Sequence, residues 1–290
     1  MIVMMVNDKT RFWNALRPFS FVVALSSCLL GVMLAVLDGS TEYILAGLLI
    51  LLGVVLQAAV NLINDHSDRY SSKYNGQQRK NIKRNMQWGV FFFVIVIIGG
   101  LYLVSLRGIG LLILGAVGLL GAWGYTSAPV NYKQRGLGVV LVFFLMGVMM
   151  IGGCYFTMTG EYTSRIFWLS IPFSFFTSLL LLANELRDFE KDFQDNITTL
   201  TVRVGFEFST RLYVVMLLSI YLASAWLYWR GMISTLVLLL LTLVALPGPL
   251  RMLKLAPADR RFLPQLTGRL FLGYSIAFMT TLWWEPVFFI

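Results

Sequence analysis

Apolar residues do not alternate or recur every third or fourth position in this chain; they come in long unbroken runs. About nine stretches of roughly 18 to 25 residues, near 19–37, 43–63, 88–106, 109–126, 137–158, 166–186, 210–229, 232–250 and 268–290, are each long enough to cross a hydrocarbon core about 30 Å thick. A helix that is apolar all round has no polar face to turn toward water. The pattern therefore predicts an all-α integral membrane protein with nine transmembrane helices around a central cavity. No long polar segment separates the runs, so residues 1–290 read as a single transmembrane domain. The first run follows Lys9, Arg11 and Arg17 but has no small-x-small cleavage site, and it reads as the first helix.

Composition agrees with lipid as the solvent. Of 290 residues 58% are hydrophobic and 13% charged, too much apolar surface for a soluble domain of this size to bury. The net charge of +9 would suit nucleic acid, but its distribution argues against that partner. With the amino terminus inside, only Arg107, Arg165 and Arg230 of the 23 Lys and Arg fall on the outer side. That asymmetry is the positive-inside rule, and it predicts an N-in, C-out orientation with the basic loops on the cytoplasmic side. The run "RKNIKR", Arg79 to Arg84, is dense enough to favour phosphate groups as well. Cys28 and Cys154 lie inside apolar runs without a C-x-x-C spacing and read as packing residues, and one histidine cannot build a His-rich metal site.

The carboxylates break the pattern. Seven of the 14 fall in two short clusters, Asp65 and Asp68, then Glu185, Asp188, Glu190, Asp192 and Asp195. Both clusters stand at the cytoplasmic ends of inward-running helices, where the helix dipole is negative and acids are disfavoured. Asn61, Asp65 and Asp68 share one helix face, and Asn184, Asp188 and Asp192 share another. Acids so placed repel unless a cation lies between them. Oxygen-only ligands suit Mg²⁺, which prefers a few carboxylates completed by water and substrate phosphate. Two such faces, in equivalent positions of what reads as a duplicated four-helix unit, would hold a metal–diphosphate between them. A solvated interfacial acid accounts for one aspartate of this kind and not for two matching N-x-x-x-D faces.

The motifs resemble those of the UbiA superfamily of intramembrane prenyltransferases. "NDHSD" and "NELRDFEKD" are similar to its two aspartate-rich motifs. "LRPFSF" from Leu16, "GYTSAP" from Gly124, "RGLG" from Arg135 and "TLTVRVG" from Thr199 match further family landmarks in order along the chain. "RGLG" and "GGCYFTMTG" look most like the 1,4-dihydroxy-2-naphthoate polyprenyltransferases of menaquinone synthesis. Ser72, Val139 and Asn196-Ile197 depart from the usual pattern, and they bear on the acceptor more than on prenyl transfer. The resemblance implies the UbiA-type fold, a polyprenyl diphosphate donor, an aromatic acceptor and Mg²⁺ held by Asp65, Asp68, Asp188 and Asp192. Asn61 and Asn184 would support the metal and diphosphate, and Arg69, Lys73, Lys133 and Arg135 would donate to the diphosphate. Tyr125 would stand near the reacting carbon, while Arg187 is either a further donor or a counter-ion, and His66 faces elsewhere. An enzyme with another acceptor (4-hydroxybenzoate or homogentisate), a UbiA-like terpene cyclase and a cation-coupled transporter are the alternatives. A CDP-alcohol phosphotransferase lacks support, because its D-G-x-x-A-R signature is missing.

Overall fold

The computed structural model describes residues 10–64, 75–126 and 129–284. The principal helices are α1 (Phe21–Leu37), α2 (Tyr43–Asn64), α3 (Gly76–Arg107), α4 (Ile109–Thr126), α5 (Gly138–Thr159), α6 (Ser164–Gln194), α7 (Phe206–Trp229), α8 (Val237–Met252) and α9 (Leu263–Trp283). Six helical spans, those containing α1, α2, α3, α5, α6 and α7, are long and apolar enough to cross a membrane. α4 is shorter and apolar. α8 is broken by a 3₁₀ turn and by Pro247 and Pro249, as expected where proline removes backbone donors. The apolar run expected to end at 290 passes beyond the described residues.

α6 and α1 are the most buried of the membrane-length helices. α1 packs against α2, α5, α6 and α9, and most of its length is buried. α2–α3 and α6–α7 are the tight neighbouring pairs of the two halves, and α4 packs against α3 and α5. Large apolar side chains left outside, among them Phe91, Ile98, Leu101, Ile113 and Leu120, face the surroundings that a hydrocarbon solvent would satisfy. Exposed tryptophans mark both ends, with Trp13, Trp88 and Trp123 at one and Trp168, Trp229 and Trp283 at the other, the placement of interfacial anchors.

Two local features set the seam between the halves. α5 contains a π-helical segment, Phe143–Met149, in which backbone carbonyls leave their ordinary partners. Hydroxyls of adjacent helices reach carbonyls in this segment and just before it: Ser27 donates to the Met146 carbonyl at 2.7 Å, Thr177 to Val142 at 3.4 Å and Ser178 to Val139 at 2.7 Å. At Gly147 a Cβ would stand 2.1 Å from Ser174 Oγ, so only glycine lets α5 and α6 approach so closely. α6 in turn packs Phe173 edge-on against Phe271, Tyr274 and Phe278 of α9 and stacks Phe176 on Phe271. At the end carrying Trp168, Asp38 receives Tyr155 Oη and Arg165 Nη1, each at 2.8 Å. Arg107 donates there to the Thr157 and Met158 carbonyls at the end of α5, so two of the three arginines expected outside tie helix ends together.

Candidate active site

The site is built on the last turns of α6, which continue past the apolar run to Gln194. Asn184, Asp188 and Asp192 therefore stand on helix, four residues apart, on one face. Asn184 Nδ2 donates to the Leu180 carbonyl at 2.8 Å, leaving its oxygen side unused by that bond. Asp188 is gripped by its neighbour: Arg187 Nε reaches Oδ1 at 2.9 Å and Nη2 reaches Oδ2 at 2.5 Å. Arg187 is thus a counter-ion here, and an arriving cation would compete with it. Asp192 is buried.

The helix ends in a defined way. Asn196 takes a left-handed φ of 54°, its N–H donates to the Phe193 carbonyl at 3.3 Å, and the Ile197 N–H returns to the Asp192 carbonyl at 2.8 Å. This is a Schellman cap with asparagine in the position usually held by glycine. The departure at Asn196 therefore keeps the conformation that glycine would give.

"TLTVRVG" and "RGLG" interlock beneath this end. The short helix Leu200–Val204 points its N-terminus at Glu185, whose Oε2 accepts from the Thr201 N–H at 3.1 Å. A buried carboxylate is at home there, since helix N-termini offer unpaired donors. Arg203 donates to the Gln134 carbonyl through Nε at 3.1 Å and Nη2 at 2.6 Å, and Nε also donates to the Thr198 carbonyl at 3.1 Å. Gly136, with φ +72°, lies against it, where a Cβ would meet Arg203 Cδ at 2.8 Å. Gly138 faces the Tyr125 ring in the same way, a Cβ there standing 3.1 Å from Cε2.

The loop thus anchored brings the expected residues round α6. Tyr125 lies within electrostatic reach of Glu185, Arg17 and Asp192, and Lys133 within reach of Glu185. Arg135 instead donates to the Pro129 carbonyl at 3.0 Å and is exposed, bracing its own loop. Asn61 is buried, and its hydrogens go to the Leu16 carbonyl at 2.7 Å and Ser20 Oγ at 2.8 Å, while its oxygen accepts from Gln57 at 3.2 Å. It fixes the "LRPFS" segment and hence Arg17, whose left-handed φ of 50° precedes Pro18. Arg17 is a residue that the spacing of the acids does not reveal. Its signal in the sequence was the L-R-P landmark. Asp65, His66, Asp68, Arg69, Ser72 and Lys73 lie outside the described residues.

Among the described residues no group of three or more His, Cys, Asp or Glu side chains converges as a metal site. α6 could supply part of one: Asp188 and Asp192, on the same face as Asn184, are oxygen donors of the kind that Mg²⁺ takes. The partner donors would come from the segment after Asn64.

A family model described as the UbiA prenyltransferase family matches residues 24–283. The chain is 28% identical over 244 residues to 1,4-dihydroxy-2-naphthoate octaprenyltransferase of Haemophilus influenzae, covering 76% of this chain and 79% of that one. It is 27% identical over 229 residues to the Escherichia coli protein of the same name, covering 73% and 74%. UbiA prenyltransferase domain-containing protein 1 of Gallus gallus is 29% identical over 246 residues, covering 76% and 69%. A solved UbiA homolog from Archaeoglobus fulgidus bound to GPP and Mg²⁺ superposes with a TM-score of 0.63 at 12% identity, covering 93% of this chain and 99% of that one. At that identity the likeness speaks for the fold.

Proposed function

The chain belongs to the UbiA prenyltransferase family and is a multi-pass membrane prenyltransferase, and from that premise we propose that it transfers a polyprenyl group from polyprenyl diphosphate to 1,4-dihydroxy-2-naphthoate, with Mg²⁺, in menaquinone biosynthesis. The observation that carries the reading is the Asn184–Asp188–Asp192 face, with Tyr125 within electrostatic reach of Asp192 and of Arg17. The naphthoate acceptor rests on the bacterial relatives named above and on "RGLG" and "GGCYFTMTG".

Asp188 and Asp192 on α6, with Asp65 and Asp68 after α2, would hold the metal. Asn184 supports them, and Asn61 fixes the segment that carries Arg17. Mg²⁺ bound there supplies the positive charge that a departing pyrophosphate needs. Lys133 and Arg17, with Arg69 and Lys73, add cationic charge to the same leaving group; Arg135 keeps their loop in place. The allylic C–O bond breaks with its electron pair going to pyrophosphate. The acceptor carbon bearing the carboxylate then bonds to the allylic carbon, and the carboxylate leaves as CO₂, its electrons restoring the ring. Tyr125 presents an aromatic face beside the allylic carbon, where a π system favours developing positive charge. Nine spans, N-in and C-out, place this chemistry at the cytoplasmic side of the inner membrane.

The test is product formation by membranes carrying the protein. Labelled prenyl diphosphate is supplied with 1,4-dihydroxy-2-naphthoate, 4-hydroxybenzoate, homogentisate or no acceptor, and ¹⁴CO₂ is counted from carboxyl-labelled naphthoate. Preference for naphthoate with CO₂ release supports the reading. Preference for another aromatic overturns the acceptor, and a cyclised product without any acceptor overturns aromatic transfer altogether.

A further inference from the structure

The acid-bearing end of α6 is also gripped from behind. Arg260 stands in the 3₁₀ turn Asp259–Phe262 that leads into α9, and it is 1% exposed. Its Nη2 donates to Glu190 Oε1. Its Nη1 donates to the Leu186 carbonyl at 3.2 Å, and the guanidinium carbon lies 4.2 Å over the Phe206 ring of α7. Nε is buried and finds no partner among the described residues. Burying a guanidinium with one donor unmatched is unfavourable. A core built for stability alone would be served better by an apolar side chain.

The register shows what the arrangement does. Leu186 and Glu190 are one turn apart on α6 and share a face. Asp188 and Asp192 are two residues further on from each, about 200° round the helix, on the opposite face. Arg260 thus holds the back of the same two turns whose front carries the carboxylates. We infer that Arg260 is a positioning residue for the metal-holding face, fixing the rotation of the last turns of α6 against α7 and α9. The inference rests on the reading given under Proposed function.

The physical need for it is specific. Glu185, Asp188, Glu190 and Asp192 crowd the negative end of a helix dipole, where acids loosen the final turn. Arg260 neutralises Glu190, the one that points away from the site, and takes a lone pair of the Leu186 carbonyl, so the turn is fastened by a group that is no ligand. Ligand carboxylates that can rotate bind a cation more weakly, and residues behind a metal ligand typically carry about 10- to 100-fold of its affinity.

The experiment uses the full chain in nanodiscs, as wild type, Arg260→Lys, Arg260→Met and Glu190→Gln. Three quantities are measured: the metal-free melting temperature, the Mg²⁺ midpoint of the melting shift with inorganic pyrophosphate present, and the kinetics of prenyl transfer. Lysine keeps the charge but cannot serve Glu190 and Leu186 together while lying flat on Phe206. Arg260→Lys is expected to melt within a few degrees of wild type yet need about tenfold more Mg²⁺. Its KM for prenyl diphosphate should rise while kcat at saturating Mg²⁺ stays within about threefold, and Glu190→Gln should shift the Mg²⁺ midpoint in the same direction. Lowered melting temperatures with an unchanged Mg²⁺ midpoint would overturn the inference and leave Arg260 a packing residue. If Arg260→Met does not fold, Arg260→Lys and Glu190→Gln decide. Wild type that neither shifts with Mg²⁺ nor transfers prenyl groups refutes the metal reading itself, and the inference with it.

Discussion

Asp188→Asn separates the site's chemistry from its architecture. The substitution keeps size and one acceptor oxygen but removes the charge. In the structure that charge is chelated by Arg187 at 2.9 and 2.5 Å, with the two side chains 17% and 26% exposed. A partly exposed pair between consecutive residues is worth at most about 1 kcal/mol once solvent screening is allowed for. Against this, an acid near a helix C-terminus costs about 0.3–1 kcal/mol, which the asparagine relieves. The two nearly cancel, so the melting temperature should move by no more than about 2–4 °C. Activity should respond differently. Losing one electrostatic stabiliser of developing charge costs about 10² or more in rate, close to 3 kcal/mol. The assay follows labelled prenyl product in nanodiscs, with EDTA, Mg²⁺ and Ca²⁺ arms beside it. Wild-type activity should vanish with EDTA and return with Mg²⁺, while Ca²⁺, larger and less strictly octahedral, restores little. Full transfer by Asp188→Asn, or by the wild type in EDTA, would refute the reasoning, and a cation-coupled transporter would give no metal-dependent product at all.

Three further outcomes follow from particular positions. Gly136→Ala forces a side chain into φ +72° with its Cβ 2.8 Å from Arg203 Cδ; it should lower stability by about 1–2 kcal/mol, read as a melting shift, and a neutral result would mean that the loop 129–137 does not rest on Arg203. Asn196→Gly should be neutral or slightly stabilising, whereas Asn196→Val, β-branched at a φ of 54°, should cost about 1–2 kcal/mol, and equal melting temperatures would contradict the cap. Gly76→Cys, at the first residue of α3, should react with an impermeant maleimide only after sealed cells are opened; labelling from outside would reverse the orientation.

Much of this was legible because membrane helices are written in runs. The apolar stretches located the helices, although the runs underestimated two of them. α6 extends to Gln194 and α3 begins at Gly76, since polar turns that project beyond lipid are invisible to a hydropathy window. The Asn184–Asp188–Asp192 face was readable because a spacing of four survives any fold. The partners of that face were not. Arg203 meets Gln134 across 69 residues and Arg260 meets Glu190 across 70, and in sequence both arginines look like ordinary members of basic loops. Glu185 and Glu190 stand beside the face-forming acids in the chain, yet one accepts from a helix N-terminus and the other pairs with Arg260. Asn61 shares the N-x-x-x-D spacing, but its amide is occupied with Leu16 and Ser20, a use that no local pattern announces.

The landmark segments act by holding other residues in place. Of the segments that drew attention first, "TLTVRVG" supplies a helix N-terminus to Glu185 and a guanidinium to the loop carrying Lys133. "RGLG" supplies the two glycines that let Arg203 and Tyr125 come close. "LRPFS" is pinned by Asn61 so that Arg17 stands near Tyr125. None of the three contributes a carboxylate to the acid faces, and each orients a residue that faces them. An oxygen-only site built on helix ends has no rigid ring or thiolate to define its geometry, so its geometry must come from what holds the helix ends still. In this protein that work is distributed over loops from both halves of the bundle, with Arg203 tying the segment after α6 to the loop after α4 and Arg260 binding the end of α6 to the start of α9.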